Sequence, residues 1–123
     1  MQDALTLPYL DQLILLPEGN PNLPGPVDLG PFRELHLCVR VLSPGTAASA
    51  ESGGTGTATL DFEHAPRDGA DAWLDFPEPV SIDLATQGST WIVISKYTRL
   101  VRARVSGTLA SAATVSVDLV ARP

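Results

Sequence analysis

From Ala113 to Ala121 the chain carries an apolar residue at every second position: Ala113, Val115, Val117, Leu119 and Ala121 alternate with Thr114, Ser116 and Asp118. A period of two belongs to the β-strand, because successive side chains leave an extended backbone on opposite faces. One face of such a segment is built to be covered and the other to meet water. The pattern recurs upstream. Leu35, Leu37, Val39 and Val41 alternate with His36, Cys38 and Arg40, while Ala58, Leu60 and Phe62 alternate with Thr59, Asp61 and Glu63. Val80, Ile82 and Leu84 alternate with Ser81 and Asp83. Ser43-Pro44-Gly45, Pro77-Glu78-Pro79, Gln87-Gly88-Ser89 and Ser106-Gly107-Thr108 interrupt these runs as reversal signals.

Two further segments complete the strand set. Thr90-Trp91-Ile92-Val93-Ile94-Ser95 is apolar on both sides and is expected as a central strand. Tyr97 to Val105 is expected as a long strand with Tyr97, Val101, Ala103 and Val105 on one face. Eleven prolines and ten glycines oppose long helices, and none is expected after residue 30. About seven short strands divided by turns predict an all-β fold, an antiparallel β-sandwich of jelly-roll-like or Ig-like type. A chain of this length buries roughly two-thirds of its unfolded surface, enough for one core. Thr46 to Gly56, made of small residues, is expected as an exposed loop.

Residues 1–30 differ in kind. "LTLPYLDQLILLPEGNPNLPGPVDLG" is rich in proline and leucine and is expected as an extended N-terminal arm. One short strand at Gln12–Leu16 is expected within it, ahead of a sandwich domain over residues 31–123. Ordering an extended segment costs about 1–2 kcal/mol per residue, which contact with a neighbour can offset. Leu5, Leu7, Tyr9, Leu13, Ile14, Leu15 and Leu16 are therefore the expected partner-binding residues.

Eight basic and fourteen acidic residues leave a net charge of −6, which disfavours binding to the phosphates of nucleic acid. Half of the bases, Lys96, Arg99, Arg102 and Arg104, fall within nine residues. They are expected as an assembly or salt-bridge face, meeting Asp61, Glu63, Asp83 or Asp118, or carboxylates of a neighbouring subunit. The one cysteine, Cys38, has no intrachain disulfide partner and is expected as a small buried filler between sheets or at an interface. No run approaches the ~20 apolar residues of a membrane helix. The opening Met-Gln-Asp lacks a basic segment before an apolar run, so synthesis in the cytoplasm without export is expected.

The segment richest in chemistry is Ala65–Trp73, "APRDGADAW". Asp68 and Asp71 lack the alternate-position oxygen donors and closing glutamate of a calcium loop. Pro66 with Asp68-Gly69 suits a reversal between strands, and Trp73 is expected as a core anchor of the returning strand. Zinc would need His36, Cys38 and His64 to converge from separate strands. Cys38 beside His36 lacks the strained turn of an activated nucleophile. The glycine-rich "ESGGTGTAT" has no phosphate-loop lysine. No catalytic residue, cofactor or metal is expected.

In order along the chain, "DLGPFRELHLCVRV", a small-residue loop, "TATLDFEHAPRDGADAW" and "YTRLVRARVSGTLASAATVSVDLVARP" form a pattern that resembles small β-sandwich structural and decoration proteins of tailed bacteriophages and phage-derived particles. The matching positions are Thr59-Leu60-Asp61, Pro66, Asp68-Gly69, Trp73, Tyr97, Arg99 or Arg102, and Gly107-Thr108. The likeness covers residues 27–123. Arg67 departs from the simplest form of the hairpin, and the N-terminal arm lies outside it. The resemblance implies a non-enzymatic component of a virion or phage-like particle, made in the bacterial cytoplasm. Its implied partner is a capsid or other shell or tube protein, together with itself as a homo-oligomer, and neither nucleic acid nor membrane. A carbohydrate-binding module with Trp73, Trp91, Tyr9 and Tyr97 as platform candidates is the alternative. Against it, Trp91 and Trp73 are expected to be buried.

Overall fold

The structure, a computed structural model, describes residues 4–17, 19, 23–30, 32–49, 51, 53–54 and 56–123. Ten strands run β1 (Leu5–Leu15), β2 (Val27–Asp28), β3 (Glu34–Ser43), β4 (Thr46–Ala47), β5 (Ala58–Ala65), β6 (Leu74–Asp83), β7 (Gly88–Ile94), β8 (Leu100–Gly107), β9 (Leu109–Ser111) and β10 (Ala113–Arg122). They form two four-stranded antiparallel sheets, β1-β10-β3-β7 and β2-β8-β5-β6, with β4 and β9 paired as a small third sheet. The first is called sheet A and the second sheet B.

Apart from β4 and β9, the pairings are nested. β5 pairs with β6, β3 with β7, β2 with β8 and β1 with β10. The chain is thus a long hairpin folded at the β5–β6 turn and wound so that successive strands cross between sheets. That winding is the jelly roll; of the two expected sandwich types it excludes the immunoglobulin order.

Alternation explains why the layers close on each other. On β10 the five residues Ala113, Val115, Val117, Leu119 and Ala121 are all 1% exposed or less. The β10–β3 register sets Val115, Val117, Leu119 and Ala121 opposite Val41, Val39, Leu37 and Leu35, so apolar rows run across the middle of sheet A. Leu60 and Phe62 of β5, Val101 and Ala103 of β8, and Phe76 and Val80 of β6 supply the facing layer. Each large side chain so buried stabilises the fold by about 1.5–3 kcal/mol.

The first correction concerns the N-terminal segment. Residues 5–15, expected mostly as arm, form an edge strand of sheet A that pairs with β10 from Leu5↔Ala121 to Leu15↔Ala113. Tyr9, Leu10 and Leu15 belong to the core. Pro8 and two register shifts, between Pro8 and Leu10 and between Leu10 and Leu13, break the period of two that would have revealed the strand. Gln12 adopts φ 50° at the second irregularity. An edge strand tolerates all of this, because proline costs a ladder bond only on a side that has a neighbour.

Tyr9 ties this strand to the opposite sheet. Its hydroxyl accepts the Ala103 N–H of β8 at 3.2 Å and lies 3.2 Å from the Pro24 carbonyl and 3.3 Å from that of Gly25. β2 covers β8 only at Val101 and Leu100, so Ala103 lies beyond its reach. Tyr9 supplies the acceptor there.

The second correction concerns Thr90–Ser95. The strand β7 is not central; it is an edge of sheet A, with Trp91 68% and Val93 49% exposed. Its apolar outer face has no second layer over it. Two smaller differences follow. The strand expected from Tyr97 begins at Leu100, and Tyr97 precedes it with a buried hydroxyl that has no hydrogen-bond partner among the described residues. The loop expected at Thr46–Gly56 starts with β4 and is pinned by Ala48 N–H to the Thr108 carbonyl at 2.8 Å and Gly56 N–H to the Ala48 carbonyl at 2.9 Å.

Candidate functional site

Sheet B presents a charged outer face. A register shift between Phe62 and Glu63 leaves both Glu63 and His64 buried. Glu63 lies opposite Arg102 across the β5–β8 ladder and Asp61 opposite Arg104. Arg102 approaches Glu63 Oε1 at 3.1 Å through Nη2, and Arg104 Nε lies 4.0 Å from the same oxygen. The Arg102 guanidinium also sits 4.0 Å above the Trp73 ring. Trp73, expected as a core anchor, is half-buried instead and roofs this ion pair. Asp61 accepts hydroxyl hydrogen bonds from Thr59 at 2.8 Å and Ser81 at 2.7 Å.

Arg99 faces away from that cluster and grips Asp28 of β2 through Nε at 3.0 Å and Nη2 at 2.8 Å. This fork, with the Gly30 N–H at 3.0 Å, holds the Asp28 carboxyl below the ordinary aspartate range and raises Arg99 in turn. Lys96 is exposed beyond the end of β7. The four bases therefore do not act as one stripe: two serve Glu63, one anchors β2 and one meets solvent.

Sheet A presents a different outer face. Pairing aligns Pro8, Asp118, Cys38 and Trp91 in one row and Thr6, Val120, His36 and Val93 in the next. Trp91 Nε1–H donates to His36 Nδ1 at 2.9 Å, and the other imidazole nitrogen, Nε2, meets Glu34 Oε1 at 2.6 Å. Because Nδ1 accepts, the ring proton sits on Nε2 and donates to Glu34. The two ring planes are 17° apart, and an N–H···N bond lies in the planes of both rings. Indole and imidazole thus meet edge to edge as one flat surface. Cys38, expected as a buried filler between the sheets or at an interface, is not between the sheets; it lies on this outer face, half-buried between Asp118 and Trp91.

The histidines do not converge. His36 stands in sheet A; His64, in sheet B, accepts the Thr98 N–H at 3.0 Å and stacks on Phe76 at 4.9 Å. No group of three or more metal-ligating side chains occurs among the described residues. In "APRDGADAW", Arg67 pairs with Asp71 at 3.3 Å and the Ala72 N–H bonds the Gly69 carbonyl at 3.1 Å. The segment closes as a turn.

The seven residues expected to bind a partner are divided by the structure. Tyr9 and Leu15 are buried in the molecule's own core, and the half-buried Leu7 and Leu13 pack against it. Ile14 is 56% exposed, Leu5 39% and Leu16 37%. Beside Leu16, at the end of β1 away from Leu5, opens a groove of about 380 Å³ lined by Leu16, Pro17, Leu23, Arg104, Val105 and Leu109. Sequence reasoning missed the β7 rim, although the uncharged run from Gly88 to Ile94 was there to read.

Fold and surface together define a two-layer jelly roll whose rims carry exposed apolar groups. Compared with known proteins, the chain matches no family model, no curated protein and no solved structure. No helix among the described residues is long and apolar enough to cross a membrane.

Proposed function

We propose that this chain is a structural component of a phage or phage-derived particle, binding a capsid or head/tail surface by protein contact through the β1 rim of sheet A. One observation carries the reading. Ile14 and Leu16 stay exposed at the end of β1, where Leu16 lines an open groove, although the same strand buries Tyr9, Leu10 and Leu15. Clustered apolar surface of this kind marks protein interaction sites. The choice of particle rests on the resemblance of residues 27–123 to phage decoration proteins; a jelly roll alone would not supply it. The test is co-sedimentation with assembled particles. Wild-type protein pellets with them, and Ile14→Asp, a surface change opposite Thr114, remains in the supernatant. An Ile14→Asp protein that pellets like wild type overturns the rim assignment.

Carbohydrate binding is the second reading, favoured by the exposure of Trp91 and its fixed orientation against His36. Aromatic rings held flat on a sheet are suited to stacking on sugar rings. Titration of oligosaccharides against tryptophan fluorescence separates the two: saturable quenching supports the sugar platform, and its absence removes it.

A further inference from the structure

Four strands form the open edges of the two sheets, and three carry a device that blocks pairing with another chain. β1 contains Pro8, Asp11 and two register shifts. β2 is two residues long, and its Asp28 is held by Arg99. β6 carries Pro77, Pro79, Asp75 and Glu78. β7 carries none of these. Gly88-Ser89-Thr90-Trp91-Ile92-Val93-Ile94 has no charge and no proline, and it pairs with β3 through seven consecutive residues without a shift. A straight, uncharged, apolar edge is a template for another strand, and its outer face already displays Trp91 and Val93.

We infer that β7 is a self-pairing edge: two copies of this chain join antiparallel through Gly88–Ile94, with the two-fold axis at Trp91, to make one continuous eight-stranded sheet from two copies of sheet A. Trp91 is the central residue of the strand, so an antiparallel copy is automatically in register with itself. On the outer face the two Trp91 positions stand opposite each other with Val93 diagonal to them, each indole leaning over its own β3 to reach His36.

On the inner face, Thr90 lies opposite the second copy's Ile92. There the mouth of the sandwich between β6 and β7 is open, a groove of about 350 Å³ whose lining includes Val41, Val80, Ile82 and Thr90. The incoming isoleucine has an apolar seat.

Charge selects the same orientation. Exposed Lys96 follows the end of β7, and exposed Asp83, the last residue of β6, begins the turn that leads into it. Antiparallel pairing brings each Lys96 alongside the second copy's Asp83 turn, whereas parallel pairing would set like charges together. The inference concerns a different rim from the proposed particle contact and stands without it.

The experiment is sedimentation velocity and hydrogen exchange on the full chain across micromolar concentrations. Wild type is expected to dimerise, with amides of residues 88–94 gaining protection as the dimer forms. Val93→Lys and Trp91→Lys each raise the dissociation constant roughly 30-fold or more, the size of a central interface residue. Thr6→Lys, on the outer face of β1, leaves it unchanged. Circular dichroism confirms that each variant keeps its sheets. The inference is overturned by a wild-type monomer throughout, by a dimer that survives both β7 changes, or by a dimer that leaves the 88–94 amides unprotected. Loss of particle binding in Ile14→Asp with the dimer intact bears only on the particle contact.

Discussion

Replacing Tyr9 by phenylalanine removes one oxygen and nothing else of size, yet that oxygen joins two sheets. In wild type it accepts the Ala103 N–H at 3.2 Å and lies within donating distance of the Pro24 and Gly25 carbonyls. After Tyr9→Phe the Ala103 N–H, beyond the reach of β2, has no acceptor; leaving a buried donor unpaired costs about 1–3 kcal/mol. The carbonyls are in part-buried surroundings and regain water, so their loss adds little. The ring fills the same space. The expected destabilisation is therefore about 2 kcal/mol, seen in urea unfolding by circular dichroism as a lower midpoint with unchanged slope. The melting temperature falls by about 4–8 °C, and the Ala103 amide exchanges faster. The hydroxyl also has a signature at high pH. Burial pushes the Tyr9 phenol above the ordinary tyrosine range, outweighing the Ala103 hydrogen bond and the Arg102 charge. A group raised in the folded state gives stability that is complete below its unfolded value, about 10, and is lost as pH rises through the folded value. Tyr9→Phe should flatten part of that alkaline limb. A stability change under about 0.5 kcal/mol, with unaltered Ala103 exchange, would refute the argument that β1 is locked into the fold by this bond.

Two further predictions concern backbone space and acid. Gly107 (φ 82°) and Gly56 (φ 78°) share a left-handed conformation, but a Cβ at Gly107 would lie 2.1 Å from the Thr57 carbonyl oxygen whereas one at Gly56 meets nothing within 4 Å. Gly56→Ala should cost about 1 kcal/mol and Gly107→Ala at least about 2 kcal/mol; equal losses in urea unfolding would show that the close approach is relieved at no cost. At low pH, Asp28 is held down first by Arg99 and Asp83 first by the Ala85 N–H and then by the Thr86 hydroxyl. Depressed carboxyls give stability that is complete above their unfolded value, about 4, and is lost as pH falls through the folded value. Asp28→Asn should weaken that acid dependence below about pH 4, and an unchanged acid unfolding profile would count against the Arg99 fork.

The core strands were legible because each has one wet face and one dry face. β3, β5 and β10 sit inside a two-layer stack, and their period of two is the direct imprint of that position. The two edge strands of sheet A were not, for opposite reasons. β1 lost its period at Pro8 and at the irregularities around Leu10 to Leu13, so a core-forming segment resembled an arm. β7 is apolar on both faces, a pattern that means burial under two layers in most sheets; here Trp91 and Val93 face outward. Periodicity reports which side chains avoid water but not whether this molecule or another copy covers them. Pairing chemistry was legible only by residue type: half of the bases stand near one another in sequence, yet the strand faces send Arg102 and Arg104 to Glu63 and Arg99 to Asp28.

The place of β10 in sheet A has a consequence for how the molecule is made. It follows both β1 and β3 in the chain and lies between them in the sheet. Until it emerges, those two strands have no common neighbour, and Leu35, Leu37 and Val39 have none of the cover that β10 later brings. Sheet A therefore cannot close until residues 113–122 are available. Closure links Leu5 to Ala121, and pairings so distant in sequence are slow to form. The interval before that closure is when this protein is most exposed to misassembly.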